Sequence, residues 1–236
     1  MRAAFRWLGL LLCAALVLQV FFVLRIAVMA WVDPESTSVQ RSEAWQLLRS
    51  DQPWHWRQQW VAYGQISPHL KRAVIASEDD GFSNHEGVEW SAMEQAWQRN
   101  SRAQAKAEQS NKPVRLRGGS TITQQLAKNL LLSGERTLFR KGQELLVTFA
   151  LEQLLSKQRI LEIYLNNVEW GEGIFGAQAA AQRYFGVSAA QLSAAQAARL
   201  AVMLPAPKRF ERNPGSAYLN QRTRTILARM AQAQTP

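Results

Sequence analysis

The chain has 236 residues, of which 47% are hydrophobic and 19% charged, so one sizeable packed domain with an accessory segment is expected and general disorder is excluded. The net charge of +10 favours polyanionic partners such as nucleic acid, anionic lipid headgroups or phosphorylated substrates. The single cysteine, Cys13, excludes an intramolecular disulfide and says nothing about the redox compartment.

An apolar segment lies close to the N-terminus. Residues 8–24 contain no charged residue, and after Arg25 the apolar run continues to Val32. Taken as one helix, residues 8–32 would be about 37 Å long, which is enough to cross a hydrocarbon core of about 30 Å with some tilt. The segment therefore predicts an uncleaved transmembrane anchor. A cleaved signal peptide is the competing interpretation, but its apolar region is usually shorter.

The charges on the two sides of the anchor differ in sign. Arg2 and Arg6 precede it, whereas Asp33 and Glu35 follow it. The positive-inside rule then predicts that residues 1–7 form a cytoplasmic tail. Everything after the anchor would lie outside the cytoplasm, where genomic DNA is absent. This disfavours nucleic acid as a partner and favours phospholipid-linked substrates.

The remaining chain divides into residues 33–65, interpreted as a membrane-proximal linker, and residues 66–236, interpreted as the main domain. Tryptophans near the exit of the anchor are expected either to dip into the membrane or to join the core. They are Trp45, Trp54, Trp56 and Trp60. Strand signals in the main domain are weak, and its apolar periodicity is helical almost throughout, so an all-α domain is predicted.

Capping residues and apolar spacing mark the predicted helices of this domain. They are expected after Ser67-Pro68, at residues 88–98, after Thr121, at residues 137–155, 157–167 and 177–185, and from Ser193 to Pro205. Residues 101–117 are rich in Lys, Arg, Gln and Ala and are predicted to form a mobile basic loop, with a short exposed helix as the alternative.

The densest group of ionisable residues lies in residues 78–87, which begin with Glu78-Asp79-Asp80. This segment directly follows the apolar run at residues 73–76. A carboxylate at the mouth of an apolar segment can have its pKa raised toward neutrality, as proton transfer requires. A solvated acidic loop would explain the same pattern when the segment is considered alone.

Two further segments carry candidate chemistry. Gly118-Gly119 precedes a Ser/Thr-rich helix start, which can present backbone N–H groups to an anion. Arg140, Lys141 and Glu144 share one face of the next predicted helix. An ordinary capped helix and a surface ion-pair ladder are the alternatives for the two segments.

The order of these motifs is more specific than any one of them. The four motifs are Glu78-Asp79-x-x-Phe82-x-x-His85-x-Gly87, Gly119-Ser120-Thr121-Ile122-Thr123-Gln124-Gln125, Arg140-Lys141-x-x-Glu144 and Lys157-x-x-Ile160-Leu161-Glu162-x-Tyr164-Leu165-Asn166. In this order they resemble the peptidoglycan glycosyltransferase family, as in the glycosyltransferase module of class A penicillin-binding proteins. The resemblance covers residues 66–214 and implies a lysozyme-like, mostly helical, two-lobed fold. The transpeptidase motifs Ser-x-x-Lys and Lys-Thr-Gly do not occur, so the chain resembles the monofunctional biosynthetic members, without transpeptidase activity.

The resemblance also implies roles for the matching residues. Glu78 is expected to be the catalytic base, and Glu144 the second essential carboxylate, near the phosphate–sugar linkage of the donor. His85 is expected to be a structural hydrogen-bonding group, with a proton carrier as the alternative, and Asp79 is expected to support Glu78. The residues expected to bind substrate are Asp79, Ser120, Gln124, Gln125, Lys128, Arg136, Arg140 and Lys141.

The implied reaction adds lipid II disaccharide units to a growing chain linked to undecaprenyl diphosphate, with inversion at the anomeric carbon. No cofactor is expected to be obligatory. Glu144 is expected either to be a ligand of a divalent cation, Mg²⁺ or Mn²⁺, or to orient the cationic cluster. The implied partners are lipid II, the growing glycan, the phospholipid membrane and proteins of division or elongation, without nucleic acid. The expected location is the inner membrane, with the catalytic domain in the periplasm. A lysozyme-like hydrolase or lytic transglycosylase and a non-catalytic division scaffold are the alternatives.

Overall fold

The computed structural model describes residues 2–50, 55–110, 119–132, 135 and 137–236. Most of them are helical, which confirms the predicted all-α class. The helices are α1 (Arg2–Val28), α2 (Ser38–Leu48), α3 (Pro68–Glu78), α4 (Trp90–Ser110), α5 (Ile122–Leu131), α6 (Leu138–Leu154), α7 (Lys157–Asn167), α8 (Ala177–Phe185), α9 (Ala194–Met203), α10 (Pro207–Arg212) and α11 (Ala217–Arg229). Two short 3₁₀ turns lie at Tyr63–Gln65 and Ala189–Gln191.

A small sheet joins the residues before α3 to a hairpin after α7. Its strands are β1 (Arg57–Gln58), β2 (Glu169–Gly171) and β3 (Ile174–Phe175), in the order β1-β3-β2. The β1 strand pairs with β3 in parallel, and β2 pairs with β3 antiparallel across a register shift. Strands of two or three residues are too short to show a period in the sequence, so no sequence pattern predicts them.

Helix α1 begins as an exposed apolar rod and ends inside the protein. Its Phe5–Val28 segment is long and apolar enough to cross a membrane. The helix stops at Val28 rather than at residue 32, and the next residues form a turn. Ile26 and Met29 are buried against the core, and α1 contacts α6. The anchor is therefore joined to the folded domain by packing as well as by the chain.

The core lies between two groups of helices. Helices α3, α9 and α11 pack against one another, and α5 packs against α6 and α7. The apolar face of α3, including Leu70 and Val74, is fully buried at this centre. Burial of such a face stabilises a helix far more than its intrinsic propensity does. The centre thus holds the C-terminal end of α3, and with it Glu78, in a fixed position.

Most predicted helix starts are confirmed by their caps. Ser67 accepts a hydrogen bond from the N–H of His69, with Pro68 in the first helical turn. Thr121 and Gln124 form a reciprocal capping box at α5. Thr137 caps α6 and Ser156 caps α7. These local signals were readable because a cap depends only on residues within one turn.

The structure has helices in two segments that were interpreted as irregular. Helix α2 lies within the predicted linker, opened by the capping box of Thr37 and Gln40. Helix α4 continues to Ser110, so the loop prediction is wrong for residues 101–110; residues 111–117 lie outside the described residues. A run of residues with good helix propensity can extend a helix without an apolar stripe of its own.

The linker tryptophans have different environments. The ring of Trp56 lies 4.8 Å from that of Phe175, and Trp60 packs against the core. Trp45 is exposed with Arg49 over its ring, and Trp54 lies outside the described residues. The core interpretation therefore holds for two of them.

Candidate active site

Glu78 is the last residue of α3 and stands where the buried helix reaches the surface. Its side chain is half-buried. The carboxylate accepts hydrogen bonds from Gln125 Nε2 at 3.0 Å and from Ser77 Oγ at 3.3 Å. A carboxylate with these few donors at the edge of an apolar core is suited to accept a proton from a bound ligand.

Burial raises the pKa of Glu78 above its ordinary value. The hydrogen bonds from Gln125 and Ser77 and the positive charge of Arg222 act in the opposite direction, whereas the negative charge of Asp79 adds to the increase. Because a base must be ionised to accept a proton, activity that depends on Glu78 should fall as the pH drops through this raised pKa. That loss should occur at a higher pH than for an exposed glutamate.

Asp79 fixes the acidic segment on the start of α5. It is 5% exposed, and its Oδ2 accepts a hydrogen bond from the backbone N–H of Ile122 at 2.9 Å. Its Oδ1 lies 2.8 Å from His85 Nε2. His85 Nδ1 accepts from the N–H of Gly87, so Nε2 carries the hydrogen that is donated to Asp79. These two hydrogen bonds let His85 hold the turn that follows Glu78.

A glycine allows the acidic segment to approach α6 closely. Gly87 has φ +84°, and a Cβ there would lie 2.7 Å from Thr148 Cγ2 and 2.8 Å from Glu152 Cγ. The carbonyl of Gly87 accepts a hydrogen bond from Thr121 Oγ1 at 2.6 Å. A larger residue would move the segment away from α5 and α6 and carry Glu78 with it.

Helix α5 presents two glutamine amides to the site. Gln125 contacts Glu78 directly. Gln124 is 1% exposed, and its Oε1 accepts from the N–H of Thr121. Its Nε2 has no hydrogen-bond partner among the residues that the structure describes. A buried donor without an acceptor is costly, and Gln124 lines the cavity described below.

Glu144 lies on α6 and is only 3% exposed. Its Oε2 accepts from Arg140 Nη1 at 2.8 Å, and its Oε1 accepts from Lys141 Nζ. The shared helix face predicted from the spacing is confirmed. The burial of the carboxylate distinguishes this group from an exposed ion-pair ladder, because buried ion pairs are held in one geometry by their surroundings.

Two cavities meet at Ser120. The larger, of about 360 Å³, is lined by Val39, Ser120, Gln124, Gln125, Lys128, Leu132, Glu135, Arg140, Lys141 and Glu144. The smaller, of about 190 Å³, includes Glu78, Asp79, Asp80, Glu89, Arg99, Ser120, Thr121 and Arg229 in its lining. Gln125 lines the larger cavity and bonds to Glu78 in the smaller one. We name the larger the cationic cavity and the smaller the Glu78 cavity.

The structure therefore brings together all the predicted site residues that it describes; Arg136 lies outside the described residues. Sequence reasoning missed Val39, Arg99 and Arg229, which come from α2, α4 and the last residue of α11. The helices that carry them have local signals, such as the capping box at the start of α2 and the capping Ser216 at the start of α11, but no local signal places their side chains at the site. Ser38 in the first turn of α2 donates to the carbonyls of Asn129 and Leu132 at the end of α5, which explains how this helix becomes a wall of the cationic cavity.

The residues that could hold a divalent cation do not fit one well. Both oxygens of Glu144 already accept hydrogen bonds from cationic groups, and the positive charges of Arg140 and Lys141 would repel a metal ion beside them. Asp79, His85 and Glu89 lie close enough to share an ion, but both Asp79 oxygens are engaged by protein donors. The hydrogen bonds described above therefore account for the site without a metal ion in any step.

Comparison with known proteins places these residues in a family. The family model described as Transglycosylase matches residues 47–231. A biosynthetic peptidoglycan transglycosylase of Paraburkholderia xenovorans is 52% identical over 235 residues, covering 98% of this chain and 94% of that protein. The protein of the same description from Herminiimonas arsenicoxydans is 50% identical over 237 residues, covering 100% and 99%. That from Bordetella pertussis is 48% identical over 225 residues, covering 95% and 91%.

Proposed function

Because the chain belongs to the transglycosylase family, we infer that it is a peptidoglycan glycosyltransferase that polymerises glycan chains from lipid II. The reaction joins the 4-hydroxyl of an acceptor sugar to the anomeric carbon of a lipid-linked donor chain, with inversion and release of undecaprenyl diphosphate. The assignment of roles to residues depends most on the contact between Gln125 and Glu78. This contact joins the two cavities in which the two reacting sugars would lie.

We place the acceptor in the Glu78 cavity. Glu78 takes the proton of the acceptor 4-hydroxyl while that oxygen forms its bond to the anomeric carbon. The raised pKa of Glu78 favours this transfer, since a more basic carboxylate accepts the proton more readily. Asp79 and His85 keep the carboxylate in position through their contacts with each other and with α5.

We place the diphosphate of the donor in the cationic cavity. As the bond between the anomeric carbon and the phosphate oxygen breaks, negative charge develops on the diphosphate, which needs positive charge more than a proton. Among the described residues of its lining, the cations are Lys128, Arg140 and Lys141. Glu144 orients Arg140 and Lys141, and Gln124 and Gln125 add polar groups to the lining of this cavity.

Incubation of the full chain with lipid II in detergent tests this function. A polymerase yields a ladder of long glycan products, whereas a hydrolase or lytic transglycosylase shortens polymer that is added. Absence of a ladder, with shortening of added glycan, would reject the proposal.

Removal of divalent cations is expected to leave most of the polymerisation rate intact, because Glu144 already has Arg140 and Lys141 as its partners. The measurement is the initial rate with EDTA, with EDTA plus excess Mg²⁺, and with EDTA plus excess Mn²⁺. A large loss with EDTA that either ion restores would contradict this expectation and return a metal ion to the mechanism.

The anchor helix α1 and the exposed start of α6 support a location at the membrane. Leu138 and Phe139 are 93% and 83% exposed, which is unusual for large apolar side chains beside a charged cavity. We propose that they lie in the membrane surface and hold the cationic cavity near the lipid-linked diphosphate. We also propose that the protein lies in the inner membrane, with residues 1–7 in the cytoplasm. An interaction with proteins of division or elongation stays a prediction from the resemblance.

Replacing Leu138 and Phe139 together with aspartate is expected to reduce polymerisation about tenfold in lipid vesicles, because apolar side chains that partition into the membrane are lost. In detergent the rate should change little. Leu227→Asp, an exposed apolar position on α11, serves as the matched control. Equal losses in vesicles and in detergent would mean that these side chains do not contact the membrane.

A further inference from the structure

A relay of two hydrogen bonds runs from α7 to Glu78. The hydroxyl of Tyr164 donates to Gln125 Oε1 at 3.0 Å, and Gln125 Nε2 donates to Glu78 Oε2 at 3.0 Å. We propose that Tyr164 is a positioning residue, which fixes the orientation of the Gln125 amide and thereby keeps Glu78 in the ionised form that a base requires. The proposal rests on the assignment of Glu78 as the base.

The orientation of the Gln125 amide matters because its two ends have opposite effects on a carboxylate. With Nε2 toward Glu78, the amide donates to the ionised carboxylate and favours it. With Oε1 toward Glu78, the same side chain would accept a hydrogen bond from the protonated acid and repel the carboxylate. A flip of the Gln125 amide would therefore stabilise the protonated, inactive form of Glu78 instead of the ionised base.

Tyr164 selects the first orientation. It is 1% exposed and packed in the core on α7, so its hydroxyl has little freedom to move. Burial raises the pKa of this hydroxyl well above its ordinary value, and the charges of Glu78 and Asp79 raise it further, so it stays protonated. Among the residues that the structure describes, the hydroxyl donates to Gln125 alone. A flipped amide would leave that buried hydrogen without an acceptor, which is costly.

Other charged groups also act on Glu78 and must be separated from the relay. Arg222 lowers the pKa of Glu78, and Asp79 raises it. The remaining charged side chains in the lining of the Glu78 cavity are Asp80, Glu89, Arg99 and Arg229. Loss of the Tyr164 hydroxyl alters none of these charges, so a shift in the pH dependence would report on the amide.

The test is the pH dependence of kcat/KM for lipid II polymerisation by the full chain in detergent. Tyr164→Phe is expected to move the acid limb of this profile, where activity is lost at low pH, upward by about 0.5 to 1 pH unit. The free energy of one hydrogen bond corresponds to a pKa change of about that size. At a pH below both pKa values, this shift lowers the ionised fraction of Glu78, and with it kcat, about three- to tenfold, with little change in KM. At neutral pH the change should be smaller. Tyr184→Phe is the matched control, since it also removes a hydroxyl, one that donates to the Trp170 carbonyl at 2.9 Å, and it should leave the limb in place.

Gln125→Leu provides a second arm that keeps Tyr164. This variant removes the donor to Glu78, so its acid limb should also move upward, and adding Tyr164→Phe should produce no further shift. Superimposed profiles for Tyr164→Phe and the wild-type chain would overturn the proposal, as would additive shifts in the double variant. If Tyr164→Phe does not fold, Gln125→Leu decides, and an unshifted limb overturns the proposal.

Glu78→Gln separates this proposal from the function on which it rests. If polymerisation survives in Glu78→Gln, Glu78 is not the base, and the proposed role of Tyr164 is rejected with it. If Glu78→Gln is inactive and the pH profile of Tyr164→Phe superimposes on that of the wild-type chain, only the role of Tyr164 is rejected.

Discussion

Glu78→Gln is expected to lower kcat for glycan polymerisation by about 10²- to 10⁴-fold, which is the usual contribution of a general base. Glutamine keeps the size of the side chain but cannot accept the proton of the attacking hydroxyl. Lipid II should still bind, because the cations of the other cavity are unchanged. KM should therefore change much less than kcat. The measurement is the initial rate of ladder formation at saturating lipid II.

Glu86→Gln is the matched control for this variant. Glu86 lies in the same acidic segment, but its side chain is exposed. Its removal changes the net charge of the segment by the same amount and should alter the rate by less than about twofold, since exposed charges interact weakly. Comparable losses in both variants would mean that only the overall charge of the segment matters, and Glu78 would lose its assigned role.

Glu144→Gln has the second largest expected effect, a fall in kcat/KM of about 10²- to 10³-fold. The neutral amide cannot neutralise the charges of Arg140 and Lys141. Its NH₂ group is a hydrogen-bond donor and would face the N–H donors of one of these two cations. The two cations should then move apart, and the developing charge on the diphosphate would meet a misplaced set of donors. Both kcat and KM should change, because the ground-state diphosphate also uses these cations.

A folding control is necessary here, because the removal of one partner from a buried ion pair can destabilise a protein by about 3–5 kcal/mol. Thermal denaturation of Glu144→Gln should show a folded protein before its kinetics are interpreted. Glu172→Gln, an exposed glutamate on the β2–β3 hairpin, provides the matched kinetic control. A folded Glu144→Gln variant with the rate of the wild-type chain would show that the cations do not need this carboxylate.

The helices of the main domain could be predicted because their signals are local. Ser67-Pro68, Thr121 with Gln124, Thr137 and Ser156 all cap helices in the structure as expected. The end of α4 could not be predicted in this way. Its second half has the composition of a solvated segment, and a helix and a loop of that composition look alike in sequence.

The site was harder to predict than the fold, since its geometry depends on contacts between distant segments. Arg140, Lys141 and Glu144 have the spacing of an ordinary surface ion pair, and only the burial of Glu144 separates the two interpretations. The contact from Tyr164 through Gln125 to Glu78 joins three helices. No periodicity within one helix could indicate it, because each of these residues has the spacing of a core or cap position.

The most direct test of the whole arrangement is a crystal structure of the Glu78→Gln variant with lipid II bound on both sides of Ser120. One diphosphate is expected within hydrogen-bond distance of Arg140 or Lys141, and the 4-hydroxyl of the other molecule beside residue 78. A diphosphate bound away from both cations, or an acceptor hydroxyl that faces a different side chain, would contradict the division of roles between Glu78 and Glu144.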